Sequence, residues 1–158
     1  MRSKRFIGVI GAADCDEALA VAARAIGRGI AETGAVLVCG GMGGVMRAAC
    51  QGAKEAGGLT VGILPGAEIT AANEFVDLPI ATGLGEARNL IIIRTASLVV
   101  AIGGSYGTLS EIGFALKMGK MVVGFKTWDI QGVEKAGSVE EVLEKLKLKE
   151  DKWQPRSI

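Results

Sequence analysis

Short, nearly continuous apolar runs alternate with longer amphipathic stretches along this chain, and glycine follows or interrupts most of the junctions. Residues 6–11, 35–39, 59–64, 97–102 and 121–125 read as strands, and 75–80 is a weaker candidate because Pro79 cannot donate to a sheet ladder. Between the first two runs, Leu19, Ala22, Ala23, Ile26 and Ile30 recur at helical spacing. Further helices are expected over 45–56, 86–96, 109–118 and 138–148. Asp14 and Glu17 have the spacing of a capping box for the first helix, as Ser138 and Glu141 have for the last. Residues 67–73 follow neither period. Strands apolar on both faces, each followed by a helix, imply an α/β fold: a doubly wound, mostly parallel sheet in a Rossmann-like three-layer sandwich. The pattern leaves strand order open.

Composition narrows the function classes. The 158 residues suit a single domain, with a core over about 5–149 and a polar tail at 150–158. Eighteen basic residues against 17 acidic ones leave a net charge of +1, which argues against a nucleic-acid coat or an anionic-membrane binder. Histidine is absent, which excludes histidine general bases, Ser-His-Asp and Cys-His machinery, and histidine-ligated metal. Cys15, Cys39 and Cys50 show no C-x-x-C spacing and are expected to be buried thiols in a reducing compartment. Asp14, Asp16 and Glu17 interrupt the first apolar stretch too early for an export signal, and no run approaches the roughly 18 residues of a membrane span. A soluble, cytoplasmic protein is expected. The 24 glycines, about twice the usual share of roughly 7%, point to tight turns and close backbone packing.

Open α/β sheets bind ligands beyond the carboxyl ends of their strands, and two glycine-rich turns are expected there. One comprises Gly40, Gly41, Met42, Gly43 and Gly44; the other comprises Gly103, Gly104, Ser105, Tyr106 and Gly107, followed by Thr108 as the expected helix cap. Amides beside a helix N-terminus favour an anion, and phosphate is the natural guest. Neither turn matches the P-loop or the dinucleotide fingerprint, and packing alone also accounts for such glycines.

Five charged positions near these turns need a role. Arg88 is placed to meet a phosphate or carboxylate. Glu111 lies three residues after Thr108, spaced either for a capping box or to stabilise positive charge as an N-glycosidic bond breaks. Arg94 either pairs at a subunit interface or reaches solvent, and Lys120, like Lys117, is expected to complement the end of the 109–118 helix. Asn89 and Ser105 are candidate polar contacts, while Met42, Met46 and Tyr106 read first as packing residues, with Tyr106 also suited to stacking on a base. The 86–96 segment is apolar around much of its circumference, which points to self-association as a homodimer or homotetramer.

The run from Gly40 to Met46 resembles the first glycine motif of the LONELY GUY superfamily, often labelled lysine decarboxylase-like. The run from Gly103 to Glu111 resembles its second, PGGxGTxxE. Within it, Glu86-Ala87-Arg88-Asn89 and the Thr-Leu-Ser-Glu ending fit the DprA-related branch that resembles molybdenum cofactor carrier proteins. The resemblance implies an oligomeric, Rossmann-like subunit that binds a phosphorylated nucleotide-type molecule, with a nucleotide or the molybdenum cofactor as the candidate and no cofactor of its own required. In the cytokinin-activating branch an arginine and a glutamate assist hydrolysis of nucleoside 5′-monophosphates, and Arg88 and Glu111 match those positions. That branch's arginine motif is Met-His-x-Arg-Lys, where this chain has Gly85-Glu86-Ala87-Arg88-Asn89, and Gly103 and Ser105 replace a proline and a glycine of the second motif. Three readings follow: a carrier-like binder of a phosphorylated ligand, a phosphoribohydrolase, and a structural oligomer without ligand.

Overall fold

A computed structural model describes residues 4–150. The elements run β1 (Phe6–Gly11), α1 (Glu17–Glu32), β2 (Val36–Cys39), α2 (Val45–Glu55), β3 (Thr60–Leu64), β4 (Leu78–Ala81), α3 (Asn89–Thr95), β5 (Leu98–Ile102), α4 (Tyr106–Lys117), β6 (Met121–Phe125), β7 (Val133–Ala136) and α5 (Val139–Glu150). Short 3-10 turns at Ile69–Ala71 and Gly85–Arg88 flank β4. All seven strands pair in parallel, in the order β4-β3-β2-β1-β5-β6-β7. The chain works outward from β1 to one edge, then crosses to β5 and works outward to the other. The direction reverses between β1 and β5, and that is where an open α/β sheet forms its binding crevice.

The strands' period of two divides the core. Ile7, Val9, Leu37, Cys39, Val100 and Ile102 face α1, α2 and α5, whereas Val36, Val38, Val99 and Ala101 face α3 and α4. This two-sided burial is the doubly wound sandwich that the apolar runs require. On the first face α1 and α2 approach until backbone meets backbone: a Cβ on Gly52 would lie 1.8 Å from the Arg24 carbonyl oxygen. Part of the glycine excess serves that contact.

Several boundaries differ from the sequence reading for local reasons. Asp16, not Asp14, caps α1; its Oδ1 accepts from the Leu19 amide at 2.8 Å, and three acids within four residues made the choice ambiguous. Pro79 does lie in a strand, β4, which is an edge with β3 as its one neighbour. Strand β7, Val-Glu-Lys-Ala, was not legible as a strand and forms the opposite edge. The Ser138–Glu141 pair caps α5: Ser138 Oγ accepts from the Glu141 amide at 3.1 Å, and Glu141 Oε2 accepts from the Gly137 amide at 2.7 Å. Lys120 complements a different helix end from the one expected. Its Nζ donates to the carbonyls of Ile93, Arg94 and Ala96, at the end of α3.

The expected 86–96 helix is a 3-10 turn followed by α3. Its apolar girth is largely met within the subunit, with Ile92 and Ile93 buried against the sheet and Leu90 and Ile91 half-buried. That girth is therefore no argument for self-association. The expected polar tail lies almost entirely outside the described residues. No helix among the described residues is long and apolar enough to cross a membrane.

Candidate functional site

A cleft of about 290 Å³ opens beyond the carboxyl end of β1. Val9, Ile10 and Gly11 form its floor; Gly40 and Met46 come from the first glycine turn and α2; Glu86, Arg88, Asn89 and Ile92 come from the α3 region. Ser105, Gly107, Thr108 and Glu111 approach from α4. Of the expected site residues, the structure brings together Gly40, Arg88, Asn89, Ser105, Gly107, Thr108 and Glu111.

Helix α4 begins earlier than expected, and this decides its chemistry. Gly104 has φ +106°, and a Cβ there would meet Thr108 Oγ1 at 2.2 Å, so the turn closes tightly onto a helix that starts at Tyr106. Ser105 is the N-cap, and its side chain makes no capping bond. The first intrahelical bond runs from the Leu109 amide to the Ser105 carbonyl at 3.0 Å. The amides of Tyr106, Gly107 and Thr108 therefore have no carbonyl partner within the helix, at the positive end of its dipole. Thr108 is not the cap, and the T-x-x-E spacing does not form a capping box. Glu111 instead lies on the buried side of the helix, 8% exposed, and lines the cleft.

Burial pushes the Glu111 carboxyl up to about 7, against the pull of the Arg88 charge. Burial lowers the Arg88 pKa in turn, offset by Glu111 and Cys39. The guanidinium has structural employment: Nη1 donates to the Gly40 carbonyl at 2.5 Å and to that of Ile63, tying the ends of β2 and β3 together. Its buried Nε has no hydrogen-bond partner among the described residues. Arg94 is exposed.

The other glycines of the first turn do not line the cleft. Gly41 packs on Gly62 of β3, and a Cβ on Gly44 would lie 2.3 Å from the Ala12 carbonyl oxygen. Asn73 holds the turn from outside, donating from Nδ2 to the Met42 carbonyl at 2.8 Å and from its amide to the Gly41 carbonyl at 2.9 Å. Beneath it, Cys39 and Cys50 are buried with their sulfurs 3.5 Å apart. Hydrogen bonding to Cys39, then burial, pushes the Cys50 thiol well above the ordinary range. Cys15, expected to be buried, is half-buried.

Tyr106 departs furthest from the packing role first assigned to it, being 80% exposed. It borders a second cleft of about 430 Å³ that shares Glu86, Asn89 and Gly107 with the first. Gly11, Pro65, Glu86 and Ile92 are site residues that the sequence reading missed. No motif connects them, and only the strand order brings them together.

The model of the SLOG cluster4 family matches residues 4–152. The chain belongs to that family. An uncharacterized protein of Archaeoglobus fulgidus is 51% identical over 120 residues, covering 76% of this chain and 79% of that one. The molybdenum cofactor binding protein of the phototrophic bacterium Rippkaea orientalis is 38% identical, with a TM-score of 0.88 over 94% of this chain and 98% of that one. The molybdenum cofactor carrier protein of Chlamydomonas reinhardtii is also 38% identical, with a TM-score of 0.87 over 96% and 100% of the two chains. DNA processing protein A of Streptococcus pneumoniae shares the fold at 19% identity and a TM-score of 0.71, covering 89% of this chain and 61% of that one. These likenesses match the branch to which the glycine motifs point.

Proposed function

We propose that this SLOG cluster4 protein is a carrier that binds the molybdenum cofactor, a phosphorylated pterin, as cargo in the cleft beside β1. The phosphate lies on the Gly107 and Thr108 amides, and the ligand leaves chemically unchanged. The observation that carries this reading is the uncapped N-terminus of α4, with its amide donors opening into a cleft at the switch point of the sheet. Similarity across nearly the full length of two proteins named for the molybdenum cofactor supports the choice of cargo.

The donor set fits a phosphate end. Among the described residues no three His, Cys, Asp or Glu side chains gather to hold a metal ion, so the phosphate and the ring are the handles this chain offers. Gly40 shapes one wall, and Arg88 braces that wall through the Gly40 carbonyl. A Glu111 that is half protonated near pH 7 leaves the cleft less negative than an ordinary carboxylate would, which favours a phosphate guest.

That same carboxyl favours a second reading, nucleoside 5′-monophosphate hydrolysis, because a pKa near 7 suits a general acid or base. The commitment of Arg88 to two backbone carbonyls weighs against it. Two assays separate the readings. Cofactor freshly released from a molybdoenzyme, mixed with the protein and passed through a sizing column, is expected to co-elute as pterin fluorescence after oxidation. A panel of nucleoside monophosphates is expected to yield no free base. Sustained base release, or absence of pterin from the protein peak, overturns the carrier reading. Self-association is supported by the half-exposed Leu78 and Ile80 on edge strand β4, and sedimentation as a monomer at micromolar concentration would remove it.

A further inference from the structure

The second cleft has no task if the ligand is only a phosphate. It shares Glu86, Asn89 and Gly107 with the first cleft, so a ligand anchored on the first turn of α4 and longer than its phosphate can extend into it. Its lining suits a flat ring. Tyr106 is 80% exposed, and its centroid lies 5.9 Å from that of Trp128 with the planes inclined by 33°. The Trp128 indole is fixed by a bond from Nε1 to the Ser105 carbonyl at 3.0 Å, so the aromatic pair is braced against the turn itself. Phe114 and Leu90 add apolar surface. Exposed aromatic faces beside an anion site are what ring-bearing phosphates stack upon. The Ser110 hydroxyl is occupied by the Gly107 carbonyl at 2.7 Å, whereas Glu86 is exposed at the junction of the two clefts.

We propose that the ring of the ligand lies in this second cleft, stacked on Tyr106, and that the Glu86 carboxylate selects a 2-amino-4-oxopyrimidine edge, the edge common to guanine and the pterins. Two carboxylate oxygens match two adjacent donors, the ring N–H and the 2-amino group. Adenine offers an acceptor where that ring N–H would be, which faces the carboxylate unpaired. This inference rests on the proposed phosphate site and adds to it the chemical class of the ring.

Titration calorimetry with GMP, IMP and AMP tests it, with ribose 5-phosphate as a probe of the phosphate site alone. GMP is expected to bind on the order of tenfold or more tighter than AMP, with IMP, which lacks the 2-amino group, between them. Glu86→Gln is a surface change that should fold normally; because Glu86 also borders the phosphate cleft, its affinities are read relative to ribose 5-phosphate, and the GMP-over-AMP ratio is expected to collapse. Tyr106→Ala is expected to weaken GMP about tenfold, and Tyr106→Phe to leave it unchanged. A synthetic pterin monophosphate in the same titration distinguishes the two sources of the edge, the tighter of it and GMP naming the class. GMP and AMP within threefold of each other, or a preference that survives Glu86→Gln, overturns the inference. If ribose 5-phosphate binds in that case, the phosphate reading stands alone. If neither it nor any nucleotide binds, both fall. An oligomer that Tyr106→Glu dissociates without changing GMP preference assigns the aromatic cleft to a second copy and likewise overturns the inference.

Discussion

The turn at 40–44 and the turn at 103–107 are alike in composition, and both carry the chain from a parallel strand into a helix. They differ in where the missing side chains leave room. In the first, the space left by Gly41 is filled by the Leu64 side chain and Gly62 backbone and that left by Gly44 by the Ala12–Ala13 backbone, and among the turn's glycines only Gly40 borders the cleft. The first amide of its helix is also engaged, since Val45 N–H donates to the Ala12 carbonyl at 2.9 Å. In the second, Gly104 shapes the turn while Gly107 faces open space, with no heavy atom within 4 Å of a Cβ built on it. One turn is a joint and the other a socket. Glycine count therefore separates neither role; what matters is whether protein or solvent occupies the volume a Cβ would fill.

The sharpest break of this contrast is in stability. Gly44 has φ +59° and ψ −130°, a region nearly closed to residues with a Cβ, and its Cβ would strike the Ala12 carbonyl. Gly44→Ala is expected to destabilise by about 4 kcal/mol and lower the Tm by roughly 10 °C. Gly107→Ala should fall within about 0.5 kcal/mol of the parent, because helical backbone and open space both accept the methyl group. Chemical denaturation of the two variants side by side measures the difference. Equal losses would dissolve the distinction.

The next effect belongs to Glu111, the buried carboxyl on the socket's own helix. Its pKa in the folded chain is raised from 4.5 to about 7, so the folded state prefers its neutral form. The sign follows. This stabilisation is complete below pH 4.5 and is lost as pH rises to 7, amounting to about 3 kcal/mol. Glu111→Gln keeps the shape without the charge, and it is expected to be more stable than the parent at pH 8 by up to that amount and no more stable at pH 4.5. Parallel stability profiles with pH would refute the assignment.

How much of this was legible from the chain depends on how local each signal is. Strands β1, β2, β3, β5 and β6 are buried on both faces, so their apolar runs identify them without help from neighbours. β7 has one strand neighbour and carries Glu134 and Lys135, so its sequence resembles a loop until β6 pairs with it. The start of the helix at the second turn lies three residues earlier than its sequence suggests, for a related reason. Thr108 and Glu111 satisfy the spacing of a box, but the backbone of Gly104 and Ser105 starts the helix earlier and turns Glu111 inward. Arg88 was legible as a charge near the site, but not as a brace, since its carbonyl partners lie 48 and 25 residues away in sequence. Pro65 and Ile92 enter the cleft through topology alone.

A carboxylate placed in the socket should close it. Gly107→Asp puts a negative group in the first turn of α4, where it complements the helix dipole and repels a phosphate. Binding of ribose 5-phosphate or of the cofactor is expected to weaken by about 100-fold, equivalent to about 2.7 kcal/mol, with stability unchanged or slightly raised. Retained affinity would remove α4 from the phosphate site.

The smallest expected effect tests the joint from outside. Asn73 secures the first turn through the Met42 and Gly41 carbonyls, and its Oδ1 accepts from the Phe75 amide at 3.0 Å. It does not line the cleft beside β1. Asn73→Ala removes the side-chain bond to Met42 and the acceptor for Phe75 but keeps the backbone bond to Gly41, so a loss of about 1–2 kcal/mol is expected. Ligand affinity should stay within twofold, because Arg88 still holds Gly40 at the cleft wall. The two readouts must separate for the first turn to be a joint. If Asn73→Ala instead weakens ribose 5-phosphate tenfold while barely moving the melting transition, the 40–44 turn shares the phosphate with α4, and its glycines must be counted with the socket.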